Sequence, residues 1–388
     1  MSEYSWPLMM DTITWKDKIN LVKHILTTSS YTQGKKVLEF ETKWSEWLGA
    51  KHSLFVTSGS TANFLLIAAV MEKYGLKKGD KVLLPACTWM TNVAPIMQLG
   101  LTPVFCDINL RDYSFDEVSL KEIKKYHPDI KLVFVTHLLG IPADYTILEE
   151  YYPEAIILDD VCESHGCFDK VGRKIGSNSV GATFSFYFGH HMTSIEGGMV
   201  STNDSELYDL MRMKRSHGLA RNSINYDFYA KENPDIDRSF LFVTDGYNFR
   251  NTELGAVLGL SQLKRLDESI QIRRKNYAWF TGIVNTSNKF YPIDFNFGNS
   301  CFCFPLICKT LEQKNRLVEL LKKNKIEYRP VVSGNLLRQP FLKNRDDIIR
   351  LSNYPNADLI HYNGVYIGNN QFVGFKDLRL LLKIVGEL

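Results

Sequence analysis

The chain has 388 residues, 45% hydrophobic and 23% charged, with a formal net charge of +3. This balance excludes a disordered or fibrous protein, and the length predicts two domains rather than a single core. Basic residues are dispersed in short clusters such as Lys322-Lys323 and Arg273-Arg274-Lys275, the mark of solvated helix faces and not of a nucleic-acid stripe.

No apolar run approaches the ~18 residues that span a bilayer, and MSEYSWPLMMDTITWKDK lacks the apolar stretch of a signal peptide, so no membrane is expected. Seven cysteines, an odd number in a long chain, predict reduced thiols and a cytoplasmic setting.

TSGSTANFLLIAAVM (57–71) joins a small-residue turn to a helix. The amides of Gly59, Ser60 and Thr61 would form a phosphate cradle at its start, although an ordinary Ser/Thr cap reads the same way. KVLLPA (81–86), TPVFCDI (102–108), KLVFVTHL (131–138) and AIILDD (155–160) are short apolar runs separated by helical stretches. They predict a mostly parallel sheet covered on both faces, with ligands bound beyond the strand ends. Trp89, in PACTWMTN, follows one strand end as a stacking or core indole. Asp159 and Asp160 end another; on a strand they point to opposite faces, so only one can address a site, and no His or Asp spacing supports a metal.

FSFYFGHHMTSIEGGMV (184–200) places His190 and His191 at the end of a strand-like run before a glycine turn. Imidazoles there serve chemistry or merely plug a core. RSHGLARN and GYNFRNTE put His217, Arg221, Asn248 and Arg250 on loops; 222–240 reads as a long aperiodic loop. Residues 252–285 predict one long helix leading to an α+β second domain with strands at 302–308 and 325–330 and a helix at 312–323. The expected division is 1–265 for the large domain and 266–388 for the small one.

Taken in this order, the motifs resemble the sugar-modifying branch of the aspartate-aminotransferase-like, fold type I pyridoxal phosphate enzymes. The likeness runs from YTQGKKVLEFE (31–41) to GVYIGNNQ (364–371). It implies an α/β large domain with a mixed, mostly parallel sheet and a smaller α+β carboxy-terminal domain. TSGSTAN looks like the family's phosphate-binding helix start. DDVCES resembles its Glu-Asp-x-x-Gln element, making Asp160 the partner of the pyridine nitrogen, with Glu163 in the glutamine position. Trp89 falls where an aromatic covers the cofactor ring, Ser185 matches a phosphate-contacting serine, and Asn248 matches a residue that reaches the neighbouring subunit's phosphate. A homodimer with shared active sites is implied.

One position departs from the aminotransferases. Their Schiff-base lysine is replaced by His190, and no lysine lies between Lys174 and Lys214. This exchange resembles the nucleotide-sugar 3-dehydratases. It implies pyridoxal and pyridoxamine 5′-phosphate as cofactor, L-glutamate as amino donor, and His190 as acid and base in loss of the C3 hydroxyl from a GDP-4-keto-6-deoxy sugar, with release of ammonia. GDP-4-keto-6-deoxymannose is the leading substrate and a GDP-heptose ketone the alternative. An imidazole near ~6.5 is expected to work in both directions at neutral pH. His191, commonly Asn in the family, is expected to shape the turn. His217, Arg221, Arg250 and Arg329 are substrate-binding candidates, the arginines for a diphosphate or carboxylate. With no cysteine from 168 to 300, neither an iron–sulfur cluster nor a dedicated reductase is implied, and Cys301 and Cys303 are expected in the core. Other readings are a cofactor-binding pseudoenzyme and an aminotransferase with a lysine elsewhere.

Overall fold

The computed structural model describes residues 3–144, 146–293 and 298–388; the first two residues of the amino-terminal segment lie outside it. Seven strands form the larger sheet: β1 (His52–Val56), β2 (Lys81–Pro85), β3 (Thr102–Cys106), β4 (Leu132–Thr136), β5 (Ile156–Asp160), β6 (Gly181–Ser185) and β7 (Gly198–Thr202). Their order is β1-β7-β6-β5-β4-β2-β3, and β7 alone runs against both neighbours. The apolar runs are continuous because the sheet is buried twice. Val82, Leu84 and Phe134 enter one core cluster, while their strand neighbours Leu83, Val133 and Val135 enter another on the opposite face.

A three-stranded antiparallel sheet follows, β8 (Cys303–Ile307), β9 (Tyr328–Pro330) and β10 (Gly364–Gly368), in the order β8-β10-β9. Cys301, Cys303 and Cys308 are buried in the core.

Four sequence expectations need correction. The helix expected over 252–285 is two, Glu253–Leu263 and Leu266–Asn285. Arg265 between them leaves helical geometry, and its guanidinium reaches Asp17 and the Thr12 carbonyl. The stretch 222–240 is not wholly irregular, since Tyr226–Glu232 is helical. The strand expected at 325–330 is only Tyr328–Pro330, because Lys325 takes a positive φ of 54°. The strand before the histidines ends at Ser185, so His190 belongs to the connection 186–197 and not to the strand. Among the described residues no helix is long and apolar enough to cross a membrane.

Candidate active site

The carboxyl ends of β4, β5 and β6, the start of helix Gly59–Tyr74 and part of the small sheet enclose a cavity of about 580 Å³. Ser58 caps the helix: its Oγ accepts from the Thr61 amide at 3.1 Å, and Thr61 Oγ1 accepts from the Ser58 amide at 3.0 Å. The cap therefore occupies Thr61, which does not line the cavity, while Ser58, Gly59 and Ser60 do. A Cβ on Gly59 would stand 2.7 Å from Ser185 Cβ, and one on Gly198 would stand 2.2 Å from the Ser58 carbonyl oxygen. Glycine at both positions lets the helix start, β6 and β7 converge, which gives the Glu-Gly-Gly turn its physical reason.

Asp160, at the end of β5, is buried. Its Oδ2 accepts from Asn92 Nδ2 at 2.8 Å and Asn63 Nδ2 at 3.0 Å, and its Oδ1 accepts from the Cys162 amide at 2.9 Å. Asp159 points the other way, 3.2 Å from His137 Nε2. The two asparagines close TSGSTAN and PACTWMTN; their position at a helix face was readable, but their convergence across 29 residues was not. No Lys or Arg forms an ion pair with Asp160 among the described residues, so its charge is oriented by amides and open to a cationic ligand atom.

Glu163 Oε2 accepts from the Leu139 amide at 2.9 Å, where Leu139 holds a left-handed φ of 60°. Burial pushes this carboxyl up to about 7, with the Asp160 charge adding to it. Near neutrality Glu163 can thus donate or accept. Trp89, 53% exposed, stands just before helix Met90–Gln98 with its indole lining the cavity. Ser185 Oγ, at the end of β6, accepts from the Tyr187 amide at 3.3 Å.

His190 lines the cavity, its amide donating to the Tyr187 carbonyl at 3.1 Å. Its ring is flanked by Tyr187 and Phe302, each 5.9 Å away between centroids, and by His165 at 6.3 Å. Burial, and secondarily the Arg273 charge, push it down to about 4. The two-way titration near neutrality expected from an ordinary imidazole is therefore corrected: at pH 7 His190 is neutral, the form a base requires. His191 turns away from the cavity, buried, with its Nε2 donating to the Ser300 carbonyl. That fixes its tautomer and pins the connection. His165, fully buried against Phe184 and Phe186, and Arg273, which donates to the Asn369 carbonyl, lie outside the cavity lining and act on it only through His190. Neither carries a motif by which sequence reasoning would have found it.

The remaining candidates separate. Arg329 lines the cavity. His217, Asn248 and Arg250 form a cluster on an exposed ridge outside it, with Arg250 Nε donating to Asn248 Oδ1 at 3.0 Å and Arg250 Nη2 lying 3.4 Å from His217 Nε2. Arg221 is also exposed and donates to the Ser239 carbonyl at 3.3 Å. None of these four faces the cavity of its own chain. No group of three or more His, Cys, Asp or Glu side chains gathers to hold a metal among the described residues.

Residues 13–372 match the DegT/DnrJ/EryC1/StrS aminotransferase family. The chain belongs to this family. Among DegT/DnrJ/EryC1/StrS relatives, it is 34% identical to GDP-4-keto-6-deoxy-D-mannose 3-dehydratase of Yersinia pseudotuberculosis, covering 96% of each chain. It is 33% identical to the enzyme of the same name from Escherichia coli O55:H7, covering 96% of this chain and 97% of that one. In three dimensions it is similar to the E. coli dehydratase with bound hydrated PLP, with a TM-score of 0.91 at 31% identity over 98% and 99% of the two chains. It is similar also to GDP-4-keto-6-deoxymannose 3-dehydratase with a trapped PLP–glutamate geminal diamine, with a TM-score of 0.90 at 31% identity over 98% and 100%. The fold is thus the aminotransferase-like fold of these pyridoxal phosphate proteins.

Proposed function

We propose that the chain is a nucleotide-sugar C3-dehydratase that uses pyridoxal and pyridoxamine 5′-phosphate, takes its amino group from L-glutamate, and acts on GDP-4-keto-6-deoxymannose. The observation that carries this is His190 at the cavity wall of an aminotransferase fold, in a stretch free of lysine from 175 to 213.

The residues fit such a cofactor. Asp160, held by two side-chain amides and the Cys162 amide and without a cationic partner among the described residues, suits a protonated ring nitrogen. The amides of Gly59 and Ser60 at the helix start, with Ser185, suit a phosphate, and the exposed Trp89 indole suits a flat ring. Glu163, near its midpoint at pH 7, suits a ring oxygen as donor or acceptor. When bound, the group supplies an amine for the sugar's C4 ketone and a delocalised ring that takes up the electrons of a broken C–H bond.

His190, neutral, would take a proton from C4′ of the bound group and return it to the departing C3 oxygen of the sugar, hydrolysis then giving ammonia and the 3-deoxy-4-keto sugar. Arg329 offers a guanidinium to the diphosphate or the glutamate carboxylate. His217, Arg221, Asn248 and Arg250, exposed on their own chain, serve the site of a second copy. An exposed apolar stripe on helix Trp15–Thr27, made by Trp15, Ile19, Val22 and Leu26, supports a homodimer. Residues 1–265 form the cofactor-binding domain and 266–388 the small domain, the boundary falling at the break beside Arg265. All seven cysteines are free of disulfides, in keeping with a reducing, cytoplasmic setting.

Incubation with pyridoxal phosphate, L-glutamate and GDP-4-keto-6-deoxymannose is expected to release equal 2-oxoglutarate and ammonia with a 3-deoxy ketosugar by mass. Transfer of nitrogen to the sugar, giving a stable amino sugar without free ammonia, would overturn the dehydratase reading.

A further inference from the structure

An amino-terminal strap crosses one wall of the cavity, and its hydrogen bonds lead to Arg329. At one end the strap joins the small sheet. The Ser5 amide donates to the Lys325 carbonyl at 2.9 Å, Trp6 pairs in parallel with Ile326, and the Glu327 amide donates to the Trp6 carbonyl at 2.9 Å. Trp6, buried against Phe304, also donates its indole N–H to the Gly368 carbonyl at 2.9 Å. At the other end Gln262 and Arg265 donate to the Thr12 carbonyl at 3.1 and 2.9 Å. Between these fixed ends, Leu8 and Met9 line the cavity. A Cβ on Gly368 would stand 2.7 Å from the Leu8 carbonyl oxygen, so strap and small sheet are in close backbone contact.

Glu327 joins the strap to the guanidinium. Its Oε2 accepts from the Leu8 amide at 3.0 Å, and its Oε1 accepts from Arg329 Nη2 at 3.2 Å. Glu327 immediately precedes β9 and Arg329 lies within it, two residues on and on the same side. The carboxylate is largely covered, at 17% exposure, whereas the guanidinium is 59% exposed. An ion pair that open contributes little to stability. What it does is select a direction for a long, flexible side chain, because the carboxylate is itself held by the strap.

We infer that Glu327 is a positioning residue that aims Arg329 at an anionic group of the ligand, with the Leu8 amide fixing Glu327 in turn. This deepens the proposed function and rests on the cavity being its ligand site. The anion is a carboxylate of the amino donor or the diphosphate of the nucleotide sugar, both of which a guanidinium fork receives.

The test compares Glu327→Gln, Glu327→Ala, Arg329→Ala and the double variant Glu327→Gln/Arg329→Ala in the cofactor-loaded protein. Calorimetric Kd values for L-glutamate and for GDP are measured separately, with amide exchange at Leu8 as a second readout. Glu327→Gln keeps an acceptor for Leu8 and loses the charge. It is expected to weaken one of the two ligands about three- to fivefold, the scale of an exposed ion pair, without faster exchange at Leu8. Glutamate alone weakened identifies the carboxylate; GDP alone weakened identifies the diphosphate. In the Arg329→Ala background the same change should have no further effect. The inference is overturned if Glu327→Gln leaves both Kd values unchanged while Glu327→Ala alters them, which would assign Glu327 to the strap only. It is overturned equally if Glu327→Gln has its full effect without Arg329. Failure of the parent protein to form a 3-deoxy sugar would sink the dehydratase reading while these affinities still decide the role of Glu327.

Discussion

The residues at the strand ends and those on the ridge at 215–250 come from loops of similar character, yet the fold treats them oppositely. Asp160, Ser185 and His190 converge on one cavity, where burial orients a carboxylate by amides and strips an imidazole of its proton. His217, Asn248 and Arg250 contact one another on an exposed face and touch no part of that cavity. The first group lines one cavity within one chain. The second presents its donors and charge to solvent, outside that cavity. A buried group takes its chemistry from its own surroundings, whereas an exposed group is free to meet another surface.

Breaking the cavity side should produce the largest effects. His190→Ala is expected to lower dehydration ~10²- to 10⁴-fold, the usual contribution of a general base, measured as 3-deoxy sugar formed. His190→Lys should retain 2-oxoglutarate formation from glutamate while losing dehydration. A lysine variant that dehydrates like the parent would remove the role given to His190.

The comparison is sharpened by mixing subunits. His190→Ala and Asn248→Ala are each expected to be strongly impaired as pure dimers. Refolded or co-expressed together, they should recover about a quarter of the parent activity, because in the proposed shared-site dimer one site of each mixed pair draws both intact residues. Absence of any recovery would place both residues in one chain's site, and an Asn248→Ala dimer as active as the parent would place Asn248 in no site.

The cavity side should also respond to acid. His165, His190 and His191 are all pushed below the ordinary imidazole value, burial first. Below ~6.5 the unfolded chain then binds more protons than the folded one. Their contribution to stability is full above that pH and is lost as pH falls towards about 4, where His190 titrates in the fold. The melting temperature is expected to fall between pH 7 and pH 5, and His165→Phe should lessen the fall. An unchanged melting temperature across that range would mean that solvent reaches these rings.

The smallest effect is expected at Arg250. Arg250→Ala removes an exposed guanidinium that touches Asn248, so the melting temperature of the dissociated chain should be unchanged and ligand affinity of the dimer should drop about tenfold or less. A loss as large as that of His190→Ala would mean that Arg250 does more than bind an anion.

Much of this site was legible before the fold. A strand ending in an acid, a small-residue turn opening a helix, an indole after a strand end and a histidine in place of the lysine are local patterns, and the first three sit on the elements expected. What misled was also local reasoning: the connection 186–197 is irregular where a strand was expected to run on, and Thr61 serves its own helix cap. His165 and Arg273 carried no local signal, and the convergence of Asn63 and Asn92 carried none either, because these roles come from neighbours far away in sequence.

The sequence by itself determined the sheet, through apolar runs that only a doubly covered sheet can bury, and the chemistry at residue 190, through the identity of one side chain. Tertiary structure alone decided that two asparagines hold Asp160, that His190 sits in a wall that keeps it neutral, that the amino-terminal strap reaches Glu327, and that the ridge residues face outward. Hydrophobic patterning is written residue by residue along the chain, whereas hydrogen-bond partners and desolvation depend on which distant segments are brought together.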